Sequence, residues 1–389
     1  MKVVYTAPNR GHHYRYASAL NKEGMLYKFV SGFSRFSPRA PFPEIGDKLV
    51  RADILQNVYL ASLKFGAPKF MSDALAYWAK KEQDRVSNRY LKDADVFVFY
   101  NGSGLYSCKK SKGKKVITVA EAVNSHVDYQ EKLLKEEHLN YNLPWTPFNT
   151  EEKKRRIQEY EMADYILLPS EFVKKSFLEY GFPEEKLLKV PFGFSQLPSD
   201  AATGIKEANT ENEFTILYVG SVSVRKGLRY LIEAFNEFNH PNKKLVIVGP
   251  KAKVTGLEGV IIPEGVTFTG TLKGDELEKA YKSADVFCLP SIEEGLALVL
   301  GEAMSYGLPI IATENTGATD IIEDGKDGFI VPIRDSKAIG NKLANLAENK
   351  ELYKTIKDNA INKAKTLNGW DETGNLLCTT LRRIVNQRE

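Results

Sequence analysis

Two doubly wound α/β domains facing a cleft are the architecture this sequence predicts, on three observations. Strand-like apolar runs alternate with helix-like segments along nearly the whole chain, the pattern of parallel sheets covered by helices. At 389 residues the chain exceeds one ordinary core and suits two. With 43% hydrophobic residues, 27% charged residues and 20 Phe beside 19 Tyr, it can fill both cores and shows no bias towards disorder.

The first domain is expected over residues 1–195. It opens on KVVYTA, a strand-like run that ends in a Pro and Gly turn and lacks the long apolar core of a secretion signal. LYKFVSG, DVFVFYN, KVITVAE, DYILLPS and LLKVPFG follow as strands, with HHYRYASALNKEG, MSDALAYWAKKEQDRVSNRYL and SEFVKKSFLEYG as helices between them. Between Gly193 and Phe214 the chain is polar and without apolar periodicity, which reads as an interdomain linker. The second domain, expected over 212–368, holds the strands FTILYVGS, KLVIVG, VTFTG, VFCLPS, PIIAT and GFIVP. Its helices include GLRYLIEAFNEF, DELEKAYKSA and SKAIGNKLANLAENK. A final helix occupies 369–389, and its sequence suits packing on either domain. Ala-Asp leads into an apolar strand at ADVFVFY, ADYILLPSEF and ADVFCLPSIEE, an echo that duplication or ordinary α/β construction would equally produce.

Composition narrows the function classes. Nowhere do about 18 apolar residues run uninterrupted, so no bilayer span is expected and any membrane contact is peripheral. Cys108, Cys288 and Cys378 are odd in number and far apart, and no CxxC or HxxxH spacing occurs; buried, reduced thiols in a cytoplasmic protein are expected, with no metal. Residues 1 to 200 carry 31 Lys and Arg against 24 Asp and Glu, a net +7, and the remainder carries 23 against 26, a net −3. The basic half suits anionic partners such as diphosphates or phospholipid head groups, at the inner membrane surface if a membrane is involved; no nucleic-acid partner is expected.

Two stretches of the second half carry chemistry. LYVGSVSVRKGLRYLIEAF reads as strand, tight turn, Arg225 and Lys226, Gly227 and an amphipathic helix. Cations beside unpaired helix N–H groups make a diphosphate site. In EEGLALVLGEAM, Glu294 belongs to a loop beyond a strand, where open α/β sheets bind ligands, and a helix starts near Ala297. Glu302 then falls in the second helical turn on the face of Leu298, Val299 and Tyr306. A carboxylate on an apolar face needs donors, and the vicinal hydroxyls of a ribose offer two. Gly295 lets a phosphate or sugar approach the backbone.

Taken together, GSVSVRKG at 220, VFCLPSIEEGLALVLGEAMSYGLPIIAT at 286 and NTGATDIIEDGKDGFIVP at 315 resemble the C-terminal domain of family 4 of the retaining GT-B glycosyltransferases. The resemblance covers most of residues 160 to 340. It implies a GT-B fold, an N-terminal acceptor domain, a C-terminal donor domain and a last helix that crosses back to the first domain. It also implies sugar transfer from a nucleoside diphosphate sugar (UDP or GDP) to a hydroxyl of a glycan or lipid-linked acceptor, as in cell-surface polysaccharide or glycoconjugate synthesis, with no cofactor or metal. Lys226 with Arg225 would neutralise the donor diphosphate, Glu294 of the Glu-x7-Glu pair would contact the transferred sugar, and Glu302 would hold the ribose. Gly220, Ser221, Gly249, Thr271, Leu272, Gly295, Leu296, Ala297 and Leu298 would line the donor pocket. The chain departs from the family at Ser221, commonly Arg, and at Leu296-Ala297, commonly Phe-Gly.

In the first half, the turn at Gly11 corresponds to the one that faces the donor phosphate in such enzymes, and His12 and His13 follow it. His126, shortly after Glu121, occupies the region where the family often places a histidine facing the reacting sugar. FVFYNGSGLYS offers another reading: Gly102-x-Gly104-x-x-Ser107, with Glu121 at 19 residues from Gly102, imitates a dinucleotide fingerprint and hence an NAD(P)-dependent oxidoreductase. The missing third glycine and the short, lysine-rich helix after it argue against that. Asp93-Ala-Asp95 imitates an acidic metal motif but sits at a strand start. A non-catalytic sugar-nucleotide-binding module of the same fold is the third reading. RFSPRAPF and the helix around LAYWAKKEQDRVSNR interleave aromatic and basic residues, as a peripheral membrane contact would.

Overall fold

Strands buried on both faces organise each half of the molecule. The structure, a computed structural model, describes residues 1–195 and 213–388; most of the linker expected between Gly193 and Phe214 lies outside them. The first half holds β1 (Val3–Ala7), β2 (Leu26–Ser31), β3 (Leu49–Arg51), β4 (Val96–Tyr100), β5 (Ile117–Glu121), β6 (Tyr165–Leu168) and β7 (Leu187–Lys189). Every residue of β1 is buried, as a central parallel strand covered on both sides requires. Its helices are α1 (His13–Lys22), α2 (Ile54–Lys64), α3 (Lys69–Asn88), α4 (Leu105–Ser111), α5 (Val127–Asn140), α6 (Thr150–Met162) and α7 (Glu171–Glu179). The sheet is wholly parallel in the order β3-β2-β1-β4-β5-β6-β7.

The second half repeats the plan. Its strands are β8 (Phe214–Val219), β9 (Lys243–Val248), β10 (Val266–Gly270), β11 (Val286–Leu289), β12 (Ile310–Thr313) and β13 (Phe329–Val331), in the parallel order β10-β9-β8-β11-β12-β13. They are covered by α8 (Leu228–Glu237), α9 (Asp275–Ser283), α10 (Leu298–Ser305), α11 (Ser336–Glu348) and α12 (Lys350–Thr366). Leu228, Leu231, Ile232 and Phe235 repeat at helical spacing and are buried, so α8 is held by one apolar face. Each sheet reverses its strand order once, between β1 and β4 and between β8 and β11, and ligands of open α/β sheets bind beyond the carboxyl ends of the strands at such points.

The repeated Ala-Asp pairs tie strand starts together. Asp95 accepts from the Lys2 amide (2.6 Å), Asp164 from the Thr118 amide (2.8 Å) and hydroxyl (2.7 Å), and Asp285 from the Thr215 amide (2.7 Å). Asp95 of the acidic motif is therefore engaged with the backbone. Cys108, Cys288 and Cys378 are free and buried.

The chain crosses between the halves a second time. Phe194 pairs with Gly369, its amide donating to the Asn368 carbonyl at 2.9 Å, and α13 (Trp370–Asn386) then packs along α1. Gly374 lies so close to Ala19 that a Cβ would collide with it, and Lys22–Asp371 and Glu23–Arg382 ion pairs flank the contact.

Candidate active site

The two motifs of the second domain meet at its switch point. After β8 a short 3-10 turn carries Val224 to Lys226, and Gly227 (φ 61°) starts α8. A side chain at Gly227 would strike the Pro290 carbonyl oxygen, so glycine is required both by the left-handed backbone and by the approach of the loop after β11. Ile292 donates its amide to the Arg225 carbonyl at 2.9 Å, Glu294 to Asn315 at 2.8 Å and Ala297 to Thr316 at 3.0 Å, which locks residues 291–297 between two neighbouring loops.

That lock brings two cations and two carboxylates together. Lys226 Nζ pairs with Glu294 Oε2, Arg225 Nη2 lies 3.5 Å from the same oxygen, and Arg225 Nη1 donates to Glu293 Oε2 at 3.0 Å. Glu294 keeps some solvent contact, whereas Glu293 is fully buried. Glu293 is the residue that sequence reasoning passed over. Its Oε1 accepts from the amide (3.1 Å) and hydroxyl (2.8 Å) of Ser125, and its Oε2 from Gln130 Nε2 (2.8 Å), all in the first domain. It holds Arg225 in place and clasps the domains at once. The Glu-Glu doublet was visible in the sequence, but which acid turns inward depends on a partner loop about 170 residues away.

Gly295 also differs from its expected use. The space its side chain would take is filled by the Val123 carbonyl of the first domain, and the Gly295 carbonyl accepts from Ser170 Oγ at 2.5 Å. The glycine lets the domains touch, so close ligand approach is not what demands it. Leu296 and Ala297 are buried, Ala297 precedes the first residue of α10, and Leu298 begins that helix half-buried. Glu302, one turn further on, accepts from Tyr281 Oη at 3.1 Å, and burial raises its pKa. Tyr281 itself stacks on Tyr306 at 5.0 Å.

The ends of β8, β9 and β10 form a neighbouring wall. The Gly220 amide donates to Val248 at 2.9 Å and the Gly249 amide to Gly270 at 2.8 Å. Gly249 has φ 143°, and a Cβ there would overlap the Gly220 carbonyl. Tyr218 Oη donates to the Ser221 carbonyl at 2.8 Å. Thr271, exposed, and Leu272, half-buried, follow β10.

In the first domain, Gly11 is exposed in the turn after β1 with φ 24°. His12 and His13 converge instead on Glu121 at the end of β5. His12 Nε2 lies 2.5 Å from Oε1, His13 Nδ1 3.2 Å from Oε2, and Tyr5 Oη donates to Oε2 at 2.9 Å. Burial opposes ionisation of Glu121, but the two imidazoles outweigh it and hold the carboxyl well below the usual range. His126 precedes α5 and caps it, Nδ1 accepting from the Asp128 amide at 3.3 Å. Its ring stacks on Tyr180 at 4.4 Å among Tyr160, Phe177 and Phe182, and burial lowers its pKa to about 4. Among the described contacts its ring touches first-domain residues only, while the adjacent Ser125 makes the contact to Glu293.

The dinucleotide-like turn is closed to phosphate. The amides of Gly102, Gly104 and Leu105 all donate to Glu159, and those of Tyr106 and Ser107 to Asp84. The start of α4 thus already carries two buried carboxylates, and Arg155 pairs with Asp84 at 2.5 Å. Burial raises the Glu159 pKa to about 7.

Known proteins with the same arrangement of sheets are numerous. The structure superposes on sucrose-phosphate synthase from Thermosynechococcus elongatus over 100% of both chains, with a TM-score of 0.70 at 18% identity. It superposes on Anabaena Alr3699/HepE in complex with UDP over 98% of this chain and 100% of that one, with a TM-score of 0.67 at 17% identity. The fold is GT-B. Residues 202–363 of this GT-B chain match the family model Glycosyl transferases group 1. Sulfoquinovosyl transferase SQD2 of Arabidopsis thaliana is 32% identical over 207 residues, 51% of this chain and 40% of that protein. Alpha-D-kanosaminyltransferase of Streptomyces kanamyceticus is 27% identical over 190 residues, 46% of this chain and 49% of that one. The chain spans about half the length of the curated relatives it matches.

Proposed function

We propose that the protein is a retaining, family 4-type glycosyltransferase. It moves a sugar from a UDP- or GDP-linked donor to a hydroxyl of a glycan or lipid-linked acceptor in glycoconjugate synthesis at the cytoplasmic face of a membrane. The observation that carries this reading is the pairing of Lys226 and Arg225 with Glu294 beyond the carboxyl edge of β8 and β11. The matched family and the fold support the class, and the solved complexes of Alr3699/HepE with UDP and UDP-glucose support the donor type.

In this reading the second domain binds donor and the first binds acceptor. The diphosphate displaces Glu294 from Lys226, and the carboxylate turns to the hydroxyls of the sugar. Glu293 stays behind and keeps Arg225 aimed at the phosphates. Glu302 takes the ribose, and Gly11, Gly220, Ser221, Gly249, Thr271 and Leu272 contribute backbone to the pocket. The bond from the anomeric carbon to the diphosphate oxygen breaks as the bond to the acceptor oxygen forms on the same face. The acceptor's proton passes to a leaving phosphate oxygen. Fixed cations and the start of α8 stabilise that leaving group without a metal ion. His126 borders the acceptor side through Ser125. A cavity of about 430 Å³ there, lined by Asn124, Gln130, Phe148, Lys153 and Arg156, shares Gln130 with the Glu293 clasp and suits a hydroxylated acceptor.

A panel of nucleotide sugars scored for donor hydrolysis and transfer tests the reading. Lys226→Ala and Glu294→Gln should each lower turnover by about 10²–10³-fold. Unchanged turnover in both variants would remove the site assignment, and stabilisation by NAD but not by UDP or GDP would remove the class.

A further inference from the structure

The hairpin formed by α2 and α3 carries its apolar residues on the wrong side for a core. No residue of α2 is buried. Ile54, Val58, Ala61 and Phe65 nonetheless recur at the spacing of a single helical face, and all are exposed, Ile54 at 66% and Phe65 at 82%. α3 continues the surface with Phe70 (73% exposed), Met71, Ala74 and Trp78. α2 packs against α3 on one side, so this stripe is the side left over. Phe36, 80% exposed, extends it: its neighbour Arg35 pairs at 2.5 Å with Asp53, the residue preceding α2.

The charges around the stripe are arranged in register with it. From Ile54 to Ser72 the chain has Lys64 and Lys69 and no carboxylate; Lys69 pairs with Asp73 at 2.7 Å, and Lys64 stands exposed at the turn. The hairpin turn reads Lys64-Phe65-Gly66-Ala67-Pro68-Lys69-Phe70, so each exposed phenyl has a lysine beside it. Lys81 lies over the Trp78 ring at 4.2 Å. Contiguous exposed apolar residues of this extent mark an interaction site. Aromatic rings alternating with lysines match one layered partner, acyl chains under a sheet of phosphates, where rings insert and ammonium groups reach the head groups. A protein partner would need carboxylates interleaved with apolar groups at the same short spacing. Among the described residues no helix is long and apolar enough to cross a membrane, so the contact is interfacial.

We infer that the α2–α3 hairpin docks the protein on the head-group region of an anionic phospholipid bilayer. The docking rests on the membrane placement proposed above and is read by binding, separately from turnover; the start of α3, through Lys69 and Asp73, also lines the cavity assigned to the acceptor. The full chain is sedimented with vesicles of phosphatidylcholine, with and without phosphatidylglycerol, at low and high salt. Wild-type protein should bind the anionic vesicles and be released by salt. Phe65→Ser/Phe70→Ser/Trp78→Ser and, separately, Lys64→Glu/Lys81→Glu should each lower the apparent partition coefficient by about tenfold or more with the melting temperature retained. Should the triple substitution fail to fold, quenching of Trp78 by brominated acyl chains, measured against Trp78→Phe, gives the depth of the hairpin directly. Absence of binding to anionic vesicles, equal binding by both variants, or a wild-type dimer that the triple substitution converts to monomer would each overturn the inference.

Discussion

Gly295→Ala isolates what domain contact contributes. Gly295 is not among the residues with positive φ, so the backbone accepts alanine without strain. The added methyl, however, would lie about 1 Å or more inside the closest approach that real side chains show to the Val123 carbonyl oxygen. The loop cannot retreat, because Glu294 and Ala297 are bonded to Asn315 and Thr316 behind it. The domains must part instead. A parting of about 1 Å takes the Glu293 contacts to Ser125 Oγ and Gln130, both 2.8 Å, beyond hydrogen-bond range. Arg225 then loses the frame that aims it. A misplacement of that size in a reacting assembly costs on the order of 10²-fold in rate. Single-turnover transfer at saturating donor, beside a circular-dichroism check of folding, reads the effect. Turnover within about threefold of wild type would refute the argument that this contact sets the geometry.

Glu293→Ala strips a buried partner from Arg225, Ser125 and Gln130 and should lower stability to urea by about 3 kcal/mol. Because burial lowers the His126 pKa from 6.5 to about 4, the unfolded chain binds the extra proton between those values. The folded state therefore loses up to about 3 kcal/mol as pH falls from 6.5 to 4, and His126→Asn, which keeps a cap, should flatten that part of the stability profile. Gly374→Leu should push α13 off Ala19, costing about 1–3 kcal/mol and raising hydrogen exchange in α1 and α13 together.

Strands were the most legible part of the sequence, for a physical reason. A parallel strand covered on both faces must be apolar throughout, so VVYTA, FTILYV and VFCL announce themselves. β3 did not: Leu49, Val50 and Arg51 are half-buried at the sheet edge, too few to form a run. The cation pair and Glu294 were readable because charge inside an apolar stretch is conspicuous. Glu293, one position away, was not, since its meaning comes from Ser125 and Gln130 in the other domain. The same limit applies to Gly295, whose neighbour Val123 is set by tertiary approach, and to the Gly102 turn, whose amides are taken by Glu159 and Asp84. α2 was not among the helices read from the sequence; spacing can set Ile54, Val58 and Ala61 on one face but cannot say whether that face meets a core or solvent.

The pairing of Phe194 with Gly369 bears on how the molecule could move. The return crossing runs beside the end of the first domain's chain, so both connections leave from one corner. Any parting of the halves that released the Glu293 clasp on Ser125 and Gln130 would pivot about that corner, with the smallest travel at Phe194 and the largest at the opposite rim of the cleft. A lesion at the corner, such as a bulky residue at Gly193 against the backbone of Trp370, would impair opening while touching no ligand. Cutting the chain at the linker would not yield two intact halves, because the first would lack the helix that covers α1.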